Sequence, residues 1–351
     1  MRSILATAWH SKARLSKVVK PKVDLPKAIV SEITSTSTSN YFPLDSVKAG
    51  EDALFHSRHA ASGQIAFGVA DGVGGWTESG VDPSLFSRML LKNISSNINS
   101  TEAEQWSELN PLKLLQASHQ RIIDEGDPEY GGSTATIGTF DPTSGALSVL
   151  QLGDSTFALF GRRSELTFAS EEQTHGFNFP YQLTALPAAQ LQAMAGRLDK
   201  PQDGLQRQIQ LQPDDIILIG TDGVFDNLYT DDILSVIREQ LSDNRVAEVL
   251  KQHQQAVASG SSSSAVVAEA PGSLNAETVD QLETQCLANV ARSINDLAVH
   301  RSLLTRYMSP FAKRAKEARL QFNSGKIDDV SLVMLWWQPQ MFAKFLPQSK
   351  L

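Results

Sequence analysis

The sequence predicts an α+β layered sandwich, with β-sheets stacked inside and helices outside. Three observations carry that expectation. Short apolar runs such as QIAFGVAD (64–71), DDIILIGTD (214–222) and VSLVMLWW (330–337) are bounded by turn residues. Helical stretches fall between groups of strands instead of after every strand, which argues against a strictly alternating parallel sheet. The chain has 351 residues, of which 41% are hydrophobic and 20% charged, enough to build a large core and too apolar for a wholly disordered protein.

Residues 1–23 contain Arg2, Lys12, Arg14, Lys17, Lys20 and Lys22, with no acid before Asp24, together with several Ser and Ala residues. That composition matches a mitochondrial presequence. Residues 24–46, rich in Ser, Thr and Pro, are expected to form a linker, with the folded body starting near residue 47. EDALFHS (51–57) and QIAFGVAD can pair as a hairpin. Residue 58 opposite 65 then sets Asp52 opposite Asp71.

Asp82 with Pro83 opens one helix, and Asn110 with Pro111 opens a second that Gly126 ends. The runs STATIGTF (133–140), ALSVLQLGD (146–154), TFALFGRR (156–163) and LTFAS (166–170) suggest an antiparallel meander. After DDIILIGTD comes a helix from Thr230 with Ile233, Val236, Ile237 and Leu241 on one stripe. Residues 256–274 are of low complexity and expected to be a flexible insertion. A long helix around 282–299, the strand VSLVMLWW and a tail at 341–351 complete the chain.

The formal net charge of −8 argues against a nucleic-acid binder, whose footprint is a basic face. The longest apolar stretches fall short of the ~20 residues of a membrane helix. Cys286 is the single cysteine, so neither an intrachain disulfide nor a thiolate zinc cluster can form.

Asp71 and Asp222 end apolar strands, while Asp52 and Asp328 begin them, so antiparallel neighbours bring all four to one sheet edge. Crowded carboxylates raise one another's pKa and call for a cation. Oxygen ligation without cysteine favours a hard ion, Mg²⁺ or Mn²⁺, over zinc. Calcium also takes oxygen ligands, although no Asp-x-Asp-x-Asp-Gly loop is present.

GED (50–52), FGVADGVGGW (67–76), GGSTATIG (131–138), LGDS (152–155), GTDGVFDN (220–227) and KIDDVS (326–331) resemble, in order, the motifs of the metal-dependent type 2C protein serine/threonine phosphatases. The resemblance covers about 47–337, within a phosphatase domain of 47–340. VDPSLFS, EQTHGFN and YMSPFAKRA look like the mitochondrial branch of that family. The resemblance implies a four-layer α-β-β-α sandwich of two antiparallel sheets flanked by helices. It implies hydrolysis of phosphoserine and phosphothreonine in proteins by water activated at a centre of two or more Mn²⁺ or Mg²⁺ ions. By motif position Asp71 would bridge both ions, the Gly72 carbonyl would bind one, Asp222 and Asp328 would hold the other, and Glu51 and Asp52 would act directly or through waters. Asp154 and Asp226 match a third metal site. Asp329 stands where Asn is common.

Two departures follow from the same alignment. Val73 stands where many relatives have a histidine that looks like the general acid, so a water or another histidine, with His175 the candidate, must serve. Many relatives also carry an arginine upstream of the acidic pair; here the nearest cation in sequence is Lys48, expected at the substrate phosphate. Trp76 is expected as a lid on the glycine loop, Trp336 and Trp337 as core cover, and the FAKRAKEAR helix (311–319) as a solvated basic face. Phosphorylated mitochondrial proteins, in the matrix, are the expected substrates. The alternatives are a small-molecule phosphohydrolase and a catalytically weak phosphoprotein-binding module of the same fold.

Overall fold

A computed structural model describes residues 3–12, 29–33, 49–59, 62–100, 110–161, 165–194, 196–242, 251 and 276–337. The insertion at 256–274, the tail at 341–351 and Lys48 lie outside the described residues.

Two antiparallel sheets form the centre. The first contains β1 (Ser3–His10), β2 (Ile29–Ile33), β8 (Thr156–Phe160), β9 (Leu166–Ala169), β14 (Ile216–Gly220) and β15 (Val330–Trp337), in the order β2-β1-β15-β14-β8-β9. The second contains β3 (Asp52–Arg58), β4 (Ile65–Asp71), β6 (Ala135–Asp141), β7 (Ala146–Leu152) and β13 (Leu205–Gln210), in the order β13-β7-β6-β4-β3, and a separate short pair is formed by β5 (Gly131–Ser133) and β12 (Leu183–Ala185).

Alternation along each strand divides the apolar residues among three cores. Leu5, Leu54, Phe67, Val149, Ile217, Ile219, Val333 and Leu335 meet between the sheets. Ile216, Leu218, Leu332 and Met334 face the other way, onto the helix Ala276–Ser302 with its Leu287, Val290, Ala291 and Ile294. Phe55, Ala66, Ala70, Ile137 and Leu150 face helices α1 (Pro83–Ser100) and α2 (Pro111–Glu125) through Phe86, Leu90, Ile94, Leu114 and Ile122. Two outer helical cores and one inter-sheet core make the expected α-β-β-α sandwich.

The hairpin register agrees with the sequence: Arg58 lies opposite Ile65 and Asp52 opposite Asp71. The second helix begins with Asn110 accepting from the Lys113 amide at 2.9 Å and stops at Gly126 in the left-handed conformation. Trp336 and Trp337 enter different cores, one on each face of β15.

Three elements depart from the sequence reading. Ser3–His10, inside the segment read as a presequence, is an inner strand between β2 and β15, paired from Ser3↔Trp337 to His10↔Val330. No Lys, Arg, Asp or Glu lies between Arg2 and Lys12, so this stretch can be buried on both faces; the charges that shaped the presequence pattern lie at its borders. Ile29–Ile33, inside the expected linker, pairs with β1. The meander is divided as well. β7 stays in the second sheet while β8 joins the first, and the chain changes sheets over Gly153, Asp154 and Ser155, with Gly153 at φ +102°. Residue alternation marks a strand without naming its neighbour, so a short sheet change and a hairpin loop read alike.

Candidate metal centre

The sheet change at 153–155 lies at the edge where β4 ends and β15 begins, and three motifs are hydrogen-bonded together there. The Asp71 amide donates to Thr134 Oγ1 at 3.1 Å, and the Asp71 carbonyl accepts from Thr134 N at 3.0 Å and Ser133 Oγ at 2.8 Å. Thr134 Oγ1 in turn meets Ser155 Oγ at 2.8 Å. The backbone of Asp71 is therefore fixed on both sides before its carboxylate makes any contact. Gly72 is buried, and a Cβ there would stand 2.7 Å from the Glu51 carbonyl oxygen, so only glycine allows the loop to close on β3.

From this frame Asp71, Asp154 and Asp222 each present an oxygen, all within 4.8 Å of one another. Asp154 Oδ1 and Asp222 Oδ1 are buried without a hydrogen-bond partner. Buried carboxylate oxygens left in that condition fit a divalent cation well, and their all-oxygen donor set suits a hard ion. Burial pushes the Asp71 carboxyl well above the usual range, reinforced by Asp222, Asp52 and Asp328. Asp154 is raised by burial and then by Asp222.

Asp328 and Glu51 line the same cavity, of about 740 Å³, with Asp71, Gly72, Asp154 and Asp222. Asp52 is placed differently. It is fully buried, accepts from Thr221 Oγ1 at 2.9 Å, and is raised by burial and by Asp329. Asp329 ties two strand ends together, accepting from Lys12 N at 2.6 Å and Glu51 N at 2.7 Å. Burial lifts it to about 6, against the pull of Lys12 and those amides.

Four further residues belong to the site that the sequence reading did not place there. Lys12, directly after β1, sets Nζ 2.7 Å from Glu51 and 3.2 Å from Asp328. Lys326 bonds Asp222, and reaches Asp226 at 2.6 Å and Asp328 at 3.2 Å. Burial pulls the Lys326 ammonium down, but Asp222, Asp226 and Asp328 outweigh it and hold the net shift well upward. Arg314 bonds Asp226 and lies 3.0 Å from Glu172, which burial and then Asp226 raise to about 7. The FAKRAKEAR helix thus sends one of its cations inward instead of presenting a uniformly solvated face. Lys326 had a local signal, two residues before Asp328 in KIDDVS; Lys12 had none, because 316 residues separate it from Asp328.

Asp226 therefore differs from Asp154. One of its oxygens faces Arg314 and the other Lys326, so it is balanced by side-chain cations. His175 lines the cavity, stacks on Tyr181 at 3.9 Å and pairs with Asp199 at 2.9 Å. Trp76 donates from Nε1 to Gln182 Oε1 at 3.2 Å and forms part of the cavity wall, beyond covering its own loop.

Comparison with known proteins agrees with this geometry. Residues 46–257 match the family model described as protein phosphatase 2C. The chain is 32% identical to the 5-azacytidine resistance protein azr1 of Schizosaccharomyces pombe over 312 residues, covering 88% of this chain and 90% of that protein. It is 32% identical to the human protein phosphatase PTC7 homolog, covering 81% and 78% respectively. It is 42% identical over 199 residues to the mitochondrial protein phosphatase 2C homolog 7 of Saccharomyces cerevisiae, covering 54% and 57%. The fold is similar to that of the photosystem II phosphatase PBCP, with a TM-score of 0.61 at 21% identity over 95% of this chain and 98% of that one.

Proposed function

The chain belongs to the protein phosphatase 2C family, as a metal-dependent protein serine/threonine phosphatase, and we propose that it works through two Mn²⁺ or Mg²⁺ ions on phosphorylated mitochondrial proteins. The observation that carries the proposal is the meeting of Asp71, Asp154 and Asp222 carboxylates, an oxygen of each within 4.8 Å of the others, in a site where Asp154 Oδ1 and Asp222 Oδ1 are buried and unpaired. Asp71, Asp222 and Asp328 would hold the ions, with the Gly72 carbonyl and Glu51 at the rim. When bound, such ions would neutralise phosphoryl charge and lower the pKa of water so that hydroxide, the nucleophile toward phosphorus, forms near neutral pH.

The chain's own groups do the rest. Asp329 holds Lys12 and Glu51 in place through their amides. Lys12, a cation lining the cavity, takes the phosphate-binding role expected of Lys48. Asp52 acts from behind, fixing Thr221 beside Asp222. Asp154 joins the metal ligands in this reading, while Asp226 stays with Lys326 and Arg314. In this reading His175, paired with Asp199 and lining the cavity, would be the imidazole that protonates the leaving alkoxide.

The mitochondrial assignment rests on the name of the yeast relative and the similar motifs; it draws no support from residues 3–10, which are sheet. The test is phosphate release. Purified protein with Mn²⁺ is expected to hydrolyse phosphoserine and phosphothreonine peptides and to lose that activity with a chelator. Faster turnover of phosphorylated metabolites than of any peptide would favour the small-molecule reading.

A further inference from the structure

The cavity above the carboxylates exceeds what a phosphoryl group fills; at about 740 Å³ it is in the ~300–1,000 Å³ range of pockets that enclose drug-sized molecules. Its remaining lining comes largely from 174–199, which carries two short paired strands, β10 (Thr174–Gly176) and β11 (Phe179–Pro180), and the helix Ala188–Met194. That segment supplies Phe179, Leu186, Met194 and Leu198, and Trp76 joins them through its bond to Gln182. Phe179 is 55% exposed and Met194 38% exposed. Large apolar side chains left open to water beside a catalytic floor are the surface that a substrate covers.

Three polar residues of the same segment are engaged with one another or with Trp76. His175 is paired with Asp199, Asp199 also accepts from the Gln182 amide at 3.0 Å, and the Gln182 side chain serves Trp76. Arg197 is the one cation that 174–199 contributes to the lining among the described residues. The wall thus sets the apolar side chains of Phe179, Leu186, Met194, Leu198 and Trp76 among polar neighbours that include Asn178 and Thr184, it is continuous with the acidic floor, and a phosphorylated residue bound there lays its neighbours against it.

Resting on the phosphatase reading above, we infer that this wall selects the substrate sequence: the enzyme acts on phosphoserine or phosphothreonine flanked, within two residues, by a large apolar side chain. Burying about 55 Å² of apolar surface on binding corresponds to about a tenfold preference.

The experiment uses the full chain with Mn²⁺ and phosphoserine peptides that differ only at one flanking position, carrying Leu, Gly or Asp. Values of kcat/KM are read from phosphate release. At one or more flanking positions Leu is expected to exceed Gly by about tenfold, with Asp no better than Gly. In the double variant Phe179→Ser, Met194→Ser the Leu/Gly ratio is expected to fall towards one, and Phe179→Leu is expected to keep most of it. Because the ratio is taken within one preparation, it is independent of how much protein is folded. Equal rates for Leu and Gly at every position, a preference for Asp through Arg197, or a ratio that survives the double variant would overturn the inference. Wild-type protein that hydrolyses an aryl phosphate but shows a flat peptide series sinks this inference alone; if neither is hydrolysed, the phosphatase reading falls with it.

Discussion

Asp71 shows how much of the site is decided by backbone before any carboxylate acts. Ser133 and Thr134 grip its peptide group and Thr134 passes the constraint to Ser155, so the GGST and LGDS stretches are the mould for the DG turn. Asp71→Asn keeps the shape and removes charge. It is expected to lower Mn²⁺-dependent kcat/KM by at least about 100-fold, and Asp222→Asn to do the same, each with weaker Mn²⁺ binding by calorimetry. In metal-free protein, Asp71→Asn is expected to raise the melting temperature, because it relieves repulsion from Asp222, Asp52 and Asp328. Lys12→Gln is expected to raise KM for phosphopeptides several-fold, and Lys12→Arg to restore most of the loss. Asp52, Asp71, Asp154, Asp222 and Asp328 were legible because each stands near a strand end beside a glycine or a second acid, and Asp226 because it follows in the same motif as Asp222. Lys12, Glu172 and Arg314 were not, since none stands at a strand end beside a glycine and the partners that draw them into the site are distant in sequence.

At the level of the element, alternation explains both what could be read and what could not. β3 buries Leu54 between the sheets and Phe55 against the helices, and His56, on the same side as Leu54, is buried with them. Burial, helped by the charge of Arg58, lowers its imidazole to about 3. A group that stays neutral in the fold but protonates near 6.5 when unfolded stabilises the fold above that pH. The contribution drains away as pH falls from about 6.5 towards about 3. Thermal melts with chelator present are expected to show a steeper acid loss for the wild type than for His56→Gln; identical pH profiles would remove His56 from the account. The β3–β4 register could be counted from the sequence because the two strands are consecutive and close in sequence, β3 ending at Arg58 and β4 beginning at Ile65. The split between β7 and β8 could not, because three residues at 153–155 suffice to move the chain from one sheet to the other.

For the molecule as a whole, the closure of the first sheet is the governing feature. β1 lies between β2 and β15 with Ile4, Leu5, Ala6 and Ala8 buried, so a chain beginning at residue 24 loses an inner strand together with Lys12. Such a truncation is expected to abolish the cooperative melt and Mn²⁺-dependent activity together; a folded, active product would restore the presequence reading of 1–23. The intact protein, saturated with Mn²⁺ at about 100 times its dissociation constant, is expected to gain about 2.7 kcal/mol of stability, measured as a higher denaturant midpoint. The layered α+β class followed from strand alternation and the spacing of the helices, and its four-layer form from the family resemblance, whereas the place of residues 3–10 did not, because basic residues flanking an uncharged stretch describe an import signal and a buried strand equally well.

The pairing of Ser3 with Trp337 also sets a timetable. On the ribosome β1 emerges long before β15 and must wait for it, and Lys12 meets Asp328 only when both are in place. The site is thereby left without one of its cations until β15 has been made, a delay that arises from topology alone.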